Sequence, residues 1–233
     1  MDNTSNRIDF PKIADMYSTA LLPPPYYNLH FKFITHRYFI NTWQLEEHAK
    51  MGCRLGCGCT RETVEHWGTC PKLDHLRERL AGITEEPRFL RVTKEGLYKG
   101  QTPYQNRLTF LIGDVPTGKL EKGTANLWLT LWHTLLLSMI NKTAEGVDCD
   151  IEAVWKLTIQ KFATLALAKA YEATKVINTA TSRGETPPSE FPNISRLLSP
   201  IGKIAPDGHV QWSTRFETEL KRLDLPGYVP GGV

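Results

Sequence analysis

The sequence lacks a hydrophobic run long enough to cross a bilayer, and its first residues lack an apolar leader. The longest apolar run, Leu127 to Ile140, is interrupted by polar residues and falls short of the roughly 20 residues that a membrane span needs. Residues 1–20 carry five charged side chains and no apolar core, so no secretory signal is predicted. We therefore expect an intracellular protein with no membrane partner.

A strong excess of one charge is also missing. The 233 residues carry a formal net charge of +3, and 41% of them are hydrophobic while 23% are charged, which is ordinary for a globular protein. From residue 53 to residue 91, seven Lys or Arg face six Asp or Glu. Charge alone thus neither requires nor excludes a nucleic-acid partner.

Cysteine is scarce but concentrated. Four of the five cysteines and one histidine lie within the eighteen residues 53–70. Thiolate and imidazole are the ligands that Zn²⁺ prefers in tetrahedral structural sites. The spacing predicts a zinc site with the ligands Cys53, Cys57, His66 and Cys70, and with Cys59 as a thiol that could replace Cys57.

Other interpretations of the same cysteines stay open. A disulfide framework is disfavoured by the odd number of cysteines. A catalytic thiol would have an imidazole available, but no feature of the sequence marks one of these cysteines as a nucleophile. A site that has lost its metal is the remaining alternative.

The cysteine-rich stretch resembles the zinc-binding region that follows the reverse transcriptase domain in non-LTR retrotransposon proteins. The shared features are a Cys-Cys-His-Cys pattern with Glu-Thr before the histidine and Cys-Pro at its close. In this sequence they are Cys53-Arg-Leu-Gly-Cys57, Glu62-Thr63, His66 and Cys70-Pro71. The spacing between His66 and Cys70 is one residue shorter than is common in that family, and Cys59 is extra.

The resemblance implies a nucleic-acid-associated structural zinc module of retroelement origin, in the nucleus, that helps to bind template RNA or target DNA. It makes Arg37, Arg54 and Arg61 candidate phosphate contacts and Trp67 a candidate for stacking on a base, with packing over the zinc site as the alternative for Trp67. The family's polymerase motif, an aromatic residue followed by paired aspartates, does not occur in the sequence. We therefore expect no enzymatic activity, whether the chain is a fragment or a descendant of such a protein.

Two further functions remain open. The zinc site could staple a helical scaffold that binds a protein partner. Alternatively, Gly113 to Leu120 comes within one residue of a phosphate-binding loop and would make the protein an NTPase with Lys119 on the phosphates. The motif ends in Leu120, which has no hydroxyl for Mg²⁺, so the sequence favours a simple turn.

The fold class predicted is mainly α: a helical domain with a small Cys3His zinc knuckle, followed by long C-terminal helices. We expect a flexible lead-in over 1–30, with a polyproline-type segment at Leu21–Tyr27. A helix–turn–helix with the knuckle should follow over 31–82. A helical domain is expected over 83–181, and a loop with one short helix over 182–233.

Helix boundaries follow from capping and apolar spacing. The first helices are expected over 31–40 and 41–51. Pro71 should open a helix with an apolar stripe of Leu73, Leu76 and Leu80, and Gly82 should end it. Residues 127–140 should form a buried helix. Asp148 or Asp150 should cap the next helix, which is expected to run to about residue 181, and a last helix is expected over 209–223.

Overall fold

The computed structural model describes residues 21–34, 52–60, 62, 66, 70–86, 120–145, 149–225 and 228. Within them the chain is mainly helical, with the cysteine–histidine cluster ahead of the long helices, as the sequence predicts. The helices are α1 Pro24–Ile34, α2 Pro71–Thr84, α3 Lys122–Glu145, α4 Ile151–Ser182, α5 Pro192–Leu198 and α6 Thr214–Arg222. Two strands, β1 Gly202–Ile204 and β2 Val210–Trp212, form an antiparallel hairpin between α5 and α6.

The core lies between the two long helices. Helix α3 packs along α4, and α1 and α5 cover other parts of α3. Trp128 and Trp132 of α3 meet edge to face with ring centroids 6.0 Å apart, and both are buried. Trp155 and Phe162 supply the largest fully buried side chains of α4. The buried helix predicted from Leu127 onward is confirmed, with longer bounds.

Helix α4 begins where its cap predicts. The Asp150 carboxylate accepts hydrogen bonds from the backbone N–H of Glu152, at 2.9 Å, and of Ala153, at 3.3 Å. These bonds satisfy two of the amides that a helix leaves without partners in its first turn. Of the two aspartates that the sequence offered, Asp150 is therefore the cap.

Helix α1 occupies part of the stretch predicted as a flexible, polyproline-type lead-in. It begins at Pro24, and the Tyr26 N–H donates to the Pro23 carbonyl at 3.1 Å. Proline is tolerated in the first helical turn because the missing N–H would have no intrahelical partner there. Burial of Leu21 and Leu22 and contact with α3 then favour the helix over an extended segment. The helix predicted over 31–40 overlaps only the end of α1, and the one over 41–51 lies outside the described residues.

Helix α2 buries Leu73, Leu76 and Leu80, as its spacing predicts. It does not end at Gly82, however. It continues through Thr84 and stops at Glu85, which takes a left-handed conformation with φ 55°. A Cβ at Gly82 would meet no neighbouring atom, so this glycine is a tolerated helical position and not a stop.

The C-terminal part contains more structure than the predicted loop and single helix. Helix α5 and the hairpin occupy residues predicted as loop, and β2 replaces the first residues of the helix predicted over 209–223. The His209 N–H donates to the Asp207 side chain at 3.0 Å in the hairpin turn, where Gly208 has φ 86°. Strands of three residues are too short for an alternation of apolar and polar residues to be recognised in the sequence.

Candidate metal centre

The first two sulfur atoms of the centre come from a tight loop over residues 52–60. The Cys53 N–H donates to the Cys59 carbonyl at 2.9 Å, and the Gly56 N–H donates to the Cys53 carbonyl at 3.0 Å. Gly56 and Gly58 have φ angles of 64° and 83°, a left-handed region that favours glycine. The two glycines therefore let the backbone turn back twice between Cys53 and Cys59.

The third sulfur atom comes from the start of helix α2. Cys70 is the N-cap residue of that helix and is buried. The neighbouring Cys53 thiol, and after it the backbone N–H groups of Lys72 and Leu73, lower the pKa of Cys70 to about 6. Amides at a helix N-terminus stabilise a thiolate, which is the form that binds a metal.

The four predicted ligands converge. The side-chain donor atoms of Cys53, Cys57, His66 and Cys70 all lie within 4.8 Å of one another, and the Cys57 Sγ to His66 Nε2 distance is 3.2 Å. A tetrahedral zinc with bonds of about 2.0–2.3 Å holds its donor atoms roughly 3.3–3.8 Å apart. The donor set and its size therefore fit a zinc ion. Cys59 does not belong to this group.

The other two thiols of the group, those of Cys53 and Cys57, have raised pKa values. The hydrogen bond that the Cys53 thiol makes with Cys70 raises the pKa of Cys53, and burial adds to the effect. Burial is also the main reason why the pKa of Cys57 is raised. Since a cysteine must be a thiolate to bind zinc, metal binding at this centre would release protons.

Arg54 is not placed as the resemblance implies. Its side chain is 5% exposed and Glu62 beside it is 1% exposed. The Arg54 Nε donates to the Glu62 carboxylate at 2.9 Å, and the Arg54 backbone N–H donates to the same group at 3.1 Å. The structure therefore gives no support to Arg54 as a phosphate contact, because its guanidinium pairs with a buried carboxylate, and that assignment stays a prediction.

The loop is also attached to the helical core. The Arg54 carbonyl accepts a hydrogen bond of 2.5 Å from the backbone N–H of Cys149, the residue just before the Asp150 cap of α4. Leu55, next to Arg54, is 1% exposed and belongs to the main core cluster. Nothing in the sequence distinguished Glu62 or Cys149 as partners of this loop, because both contacts depend on how distant segments pack.

The other candidate contacts lie outside the described residues. These are Arg37, Arg61 and Trp67, together with residues 113–119 of the phosphate-loop candidate. Leu120, the last residue of that candidate, is described and half-buried just ahead of α3. The assignments for all of them stay predictions.

Comparison with known proteins adds no relative. No family model, no curated protein and no solved structure matches the chain. The likeness to the retrotransposon region thus rests on the motif around Cys53–Cys70 itself. Among the described helices, none combines the length and the apolar character that a bilayer span requires.

Proposed function

We propose that the chain is a helical module stapled by a structural Zn²⁺ bound to Cys53, Cys57, His66 and Cys70. The supporting observation is the convergence of these four donor atoms within 4.8 Å. Four protein ligands complete a tetrahedron and leave no position for a substrate or a reactive water, which is typical of structural and not catalytic zinc.

The proposed zinc ion would connect separate segments of the chain. It connects the loop over residues 52–60 to the first turn of α2, and the loop in turn bonds to the residue ahead of α4. Removal of the metal should therefore loosen the loop and the α2 start first, while α3 and α4 keep their own buried contacts.

Metal analysis tests the proposed structural zinc site. The purified protein should carry one zinc per chain, and a strong chelator should lower its unfolding temperature. Cys70→Ser should lose the metal, whereas Cys59→Ser, the matched control, should keep it. A protein without stoichiometric metal, or one whose melting is indifferent to chelation, would remove the proposal.

We further propose that this module binds RNA or DNA and is of retroelement origin. The motif resemblance supports this role, with Arg37, Arg61 and Trp67 as the candidate contacts. Arg54 does not support it, because its charge is already neutralised inside the loop. Charge reversal of Arg54 would therefore report on folding and not on nucleic-acid binding.

A gel-shift titration against structured RNA and duplex DNA, repeated over a range of salt concentrations, tests nucleic-acid binding. Binding should weaken as salt rises, because phosphate contacts release counterions. Arg61→Glu should reduce it, and Lys156→Glu, which makes the same charge change on an exposed position of α4, should have a smaller effect. Absence of binding at low salt would contradict the proposal.

A second candidate is a zinc-stapled scaffold for a protein partner, and one surface favours it. Leu157, Leu167 and Tyr171 of α4 are 40%, 39% and 62% exposed and recur near one side of the helix. Large exposed apolar side chains that share a helix face are typical of interaction surfaces. Tyr171→Ser should abolish association with the protein partner, measured by sedimentation velocity, and leave the nucleic-acid gel shifts unchanged. Arg61→Glu should weaken the gel shifts and leave the protein association unchanged.

A further inference from the structure

A cleft of about 630 Å³ opens at the C-terminal end of the chain, away from the metal centre. Helix α5, the β1–β2 hairpin and the first residue of α6 form its walls. Its volume falls within the roughly 300–1,000 Å³ of ordinary small-molecule sites. The residues that bear on its chemistry are Arg196, Pro200, Lys203, Gln211 and Trp212.

The charged side chains that line this cleft are all positive. Arg196 and Lys203 are both exposed, and no Asp or Glu is among the lining residues. Neither cation forms an ion pair with a carboxylate in the part of the chain that the structure describes. One acid touches the rim, because the Ser199 hydroxyl donates to the Glu121 carboxylate at 2.5 Å. Both cationic heads therefore stay available to an anion.

The framework beneath these side chains is well braced. Lys203 and Gln211 are register partners in the hairpin, so their side chains leave the same face of the sheet. The Ser195 hydroxyl of α5 accepts the Ile204 N–H at 3.0 Å, which ties α5 to β1. The Trp212 indole N–H donates to the Tyr228 carbonyl at 2.6 Å. The cleft is thus bounded by packed backbone that keeps its walls in place.

We propose that this cleft binds a phosphate group carried by a nucleotide or by a nucleic-acid strand, with Arg196 and Lys203 on the phosphate. Arginine offers a planar fork of donors that suits phosphate oxygens, and lysine adds a mobile point charge. The Gln211 amide beside Lys203 can both donate and accept hydrogen bonds, so it would bind the polar edge of a base. Pro200 and the edge of Trp212 offer an apolar wall. This site is independent of the metal centre and of the role proposed for it.

Calorimetric titration of the full, zinc-loaded chain at low salt tests the proposal with three probes. They are adenosine, 5′-AMP and a single-stranded oligonucleotide of about 12 nucleotides. We expect 5′-AMP or the oligonucleotide to bind and adenosine to bind far more weakly. Binding of 5′-AMP with equal affinity identifies a mononucleotide site, whereas preference for the oligonucleotide identifies a strand-binding site.

Variants assign the binding to the cleft. Arg196→Ala and Lys203→Ala should each weaken binding by about three- to tenfold, the effect of losing one hydrogen bond of ordinary net strength at an exposed position. Lys156→Ala on α4 and Arg183→Ala just after its end remove the same charge from exposed positions that do not line the cleft and should change the affinity less than twofold. The proposal fails if neither phosphate probe binds, if adenosine binds as well as they do, or if the control variants weaken binding as much as the cleft variants.

Discussion

Truncation of Glu62 is the sharpest test of how the metal-binding loop is built. The Glu62 side chain is fully buried and the Arg54 side chain is 5% exposed. Glu62→Ala would leave the Arg54 guanidinium without its carboxylate, and would also free the backbone N–H of Arg54 that donates to it. The variant therefore removes one side chain but takes the carboxylate away from two buried donor groups of Arg54.

The expected loss of stability is large for a single substitution. Removing one partner of a buried ion pair costs about 3–5 kcal/mol, because an uncompensated charge remains inside the protein. That is a large fraction of the roughly 5–15 kcal/mol of a typical domain. Arg54→Met should cost a comparable amount, since it leaves the buried Glu62 carboxylate without a positive charge and with only the backbone N–H of residue 54 as a donor. The double variant Arg54→Met with Glu62→Ala should recover part of the loss, because neither buried charge remains.

Urea unfolding in saturating zinc measures these differences, and the double-mutant cycle isolates the interaction between the two side chains. Glu172→Ala serves as the control. It breaks the ion pair between Lys169 and Glu172, in which Glu172 is 56% exposed, and exposed pairs contribute about 1 kcal/mol or less. The control should therefore shift the urea midpoint little.

A Glu62→Ala variant as stable as the Glu172→Ala control would refute the reasoning. It would mean that Arg54 reaches solvent and can find other partners there. Arg54 would then return as a candidate phosphate contact. Nucleic-acid binding by Arg54→Met, tested under conditions where that variant is folded, separates the two cases directly.

Two further predictions concern helix α3. Gly123→Ala should lower the free energy of unfolding by about 1–3 kcal/mol through overpacking, because its Cβ would collide with the Leu198 carbonyl. Gly82→Ala in α2 serves as the comparison in the same unfolding assay. A Cβ there meets no neighbouring atom, so this variant should raise the free energy of unfolding by about 0.5–1 kcal/mol. Burial, and to a lesser extent the charge of Lys161, lower the pKa of His133 from 6.5 to about 4. The unfolded chain therefore takes up this proton first, and stability should fall as pH drops from about 6.5 to about 4. The loss should be about 1–2 kcal/mol after allowance for the half-exposed ring. His133→Phe should flatten that part of the pH profile, and an unchanged profile would contradict the assignment.

The sequence predicts those features that depend on neighbouring residues. Four potential ligands within eighteen residues can reach one ion through a short loop and one helix start, so their convergence needs little long-range information. The Asp150 cap and the stripe of Leu73, Leu76 and Leu80 are equally local, since each is set by spacing within one helix. These predictions are confirmed.

The predictions that failed depended on distant contacts. Glycine has a low helix propensity, yet Gly123 lies in the first turn of α3, where its N–H donates to the Ser199 carbonyl at 2.9 Å. No local pattern shows that α5 will approach there. The prolines ahead of Tyr26 suggested an extended segment, but Tyr26 stacks on His133 of α3 with ring centroids 4.1 Å apart. Tertiary packing decided both cases against local propensity.

Arg54 also shows why a residue need not do what its place in a resembling motif suggests. Its side chain neutralises Glu62, its N–H donates to the same carboxylate, and its carbonyl accepts the Cys149 N–H ahead of α4. One residue between two of the proposed zinc ligands thus connects the loop over residues 52–60 to Glu62 and to the helical core. Chelation should consequently affect more than the loop: hydrogen exchange at the first amides of α4 should increase when the metal is removed, while the middle of α4 stays protected. Equal protection of both segments with and without metal would show that the loop and the core are energetically separate.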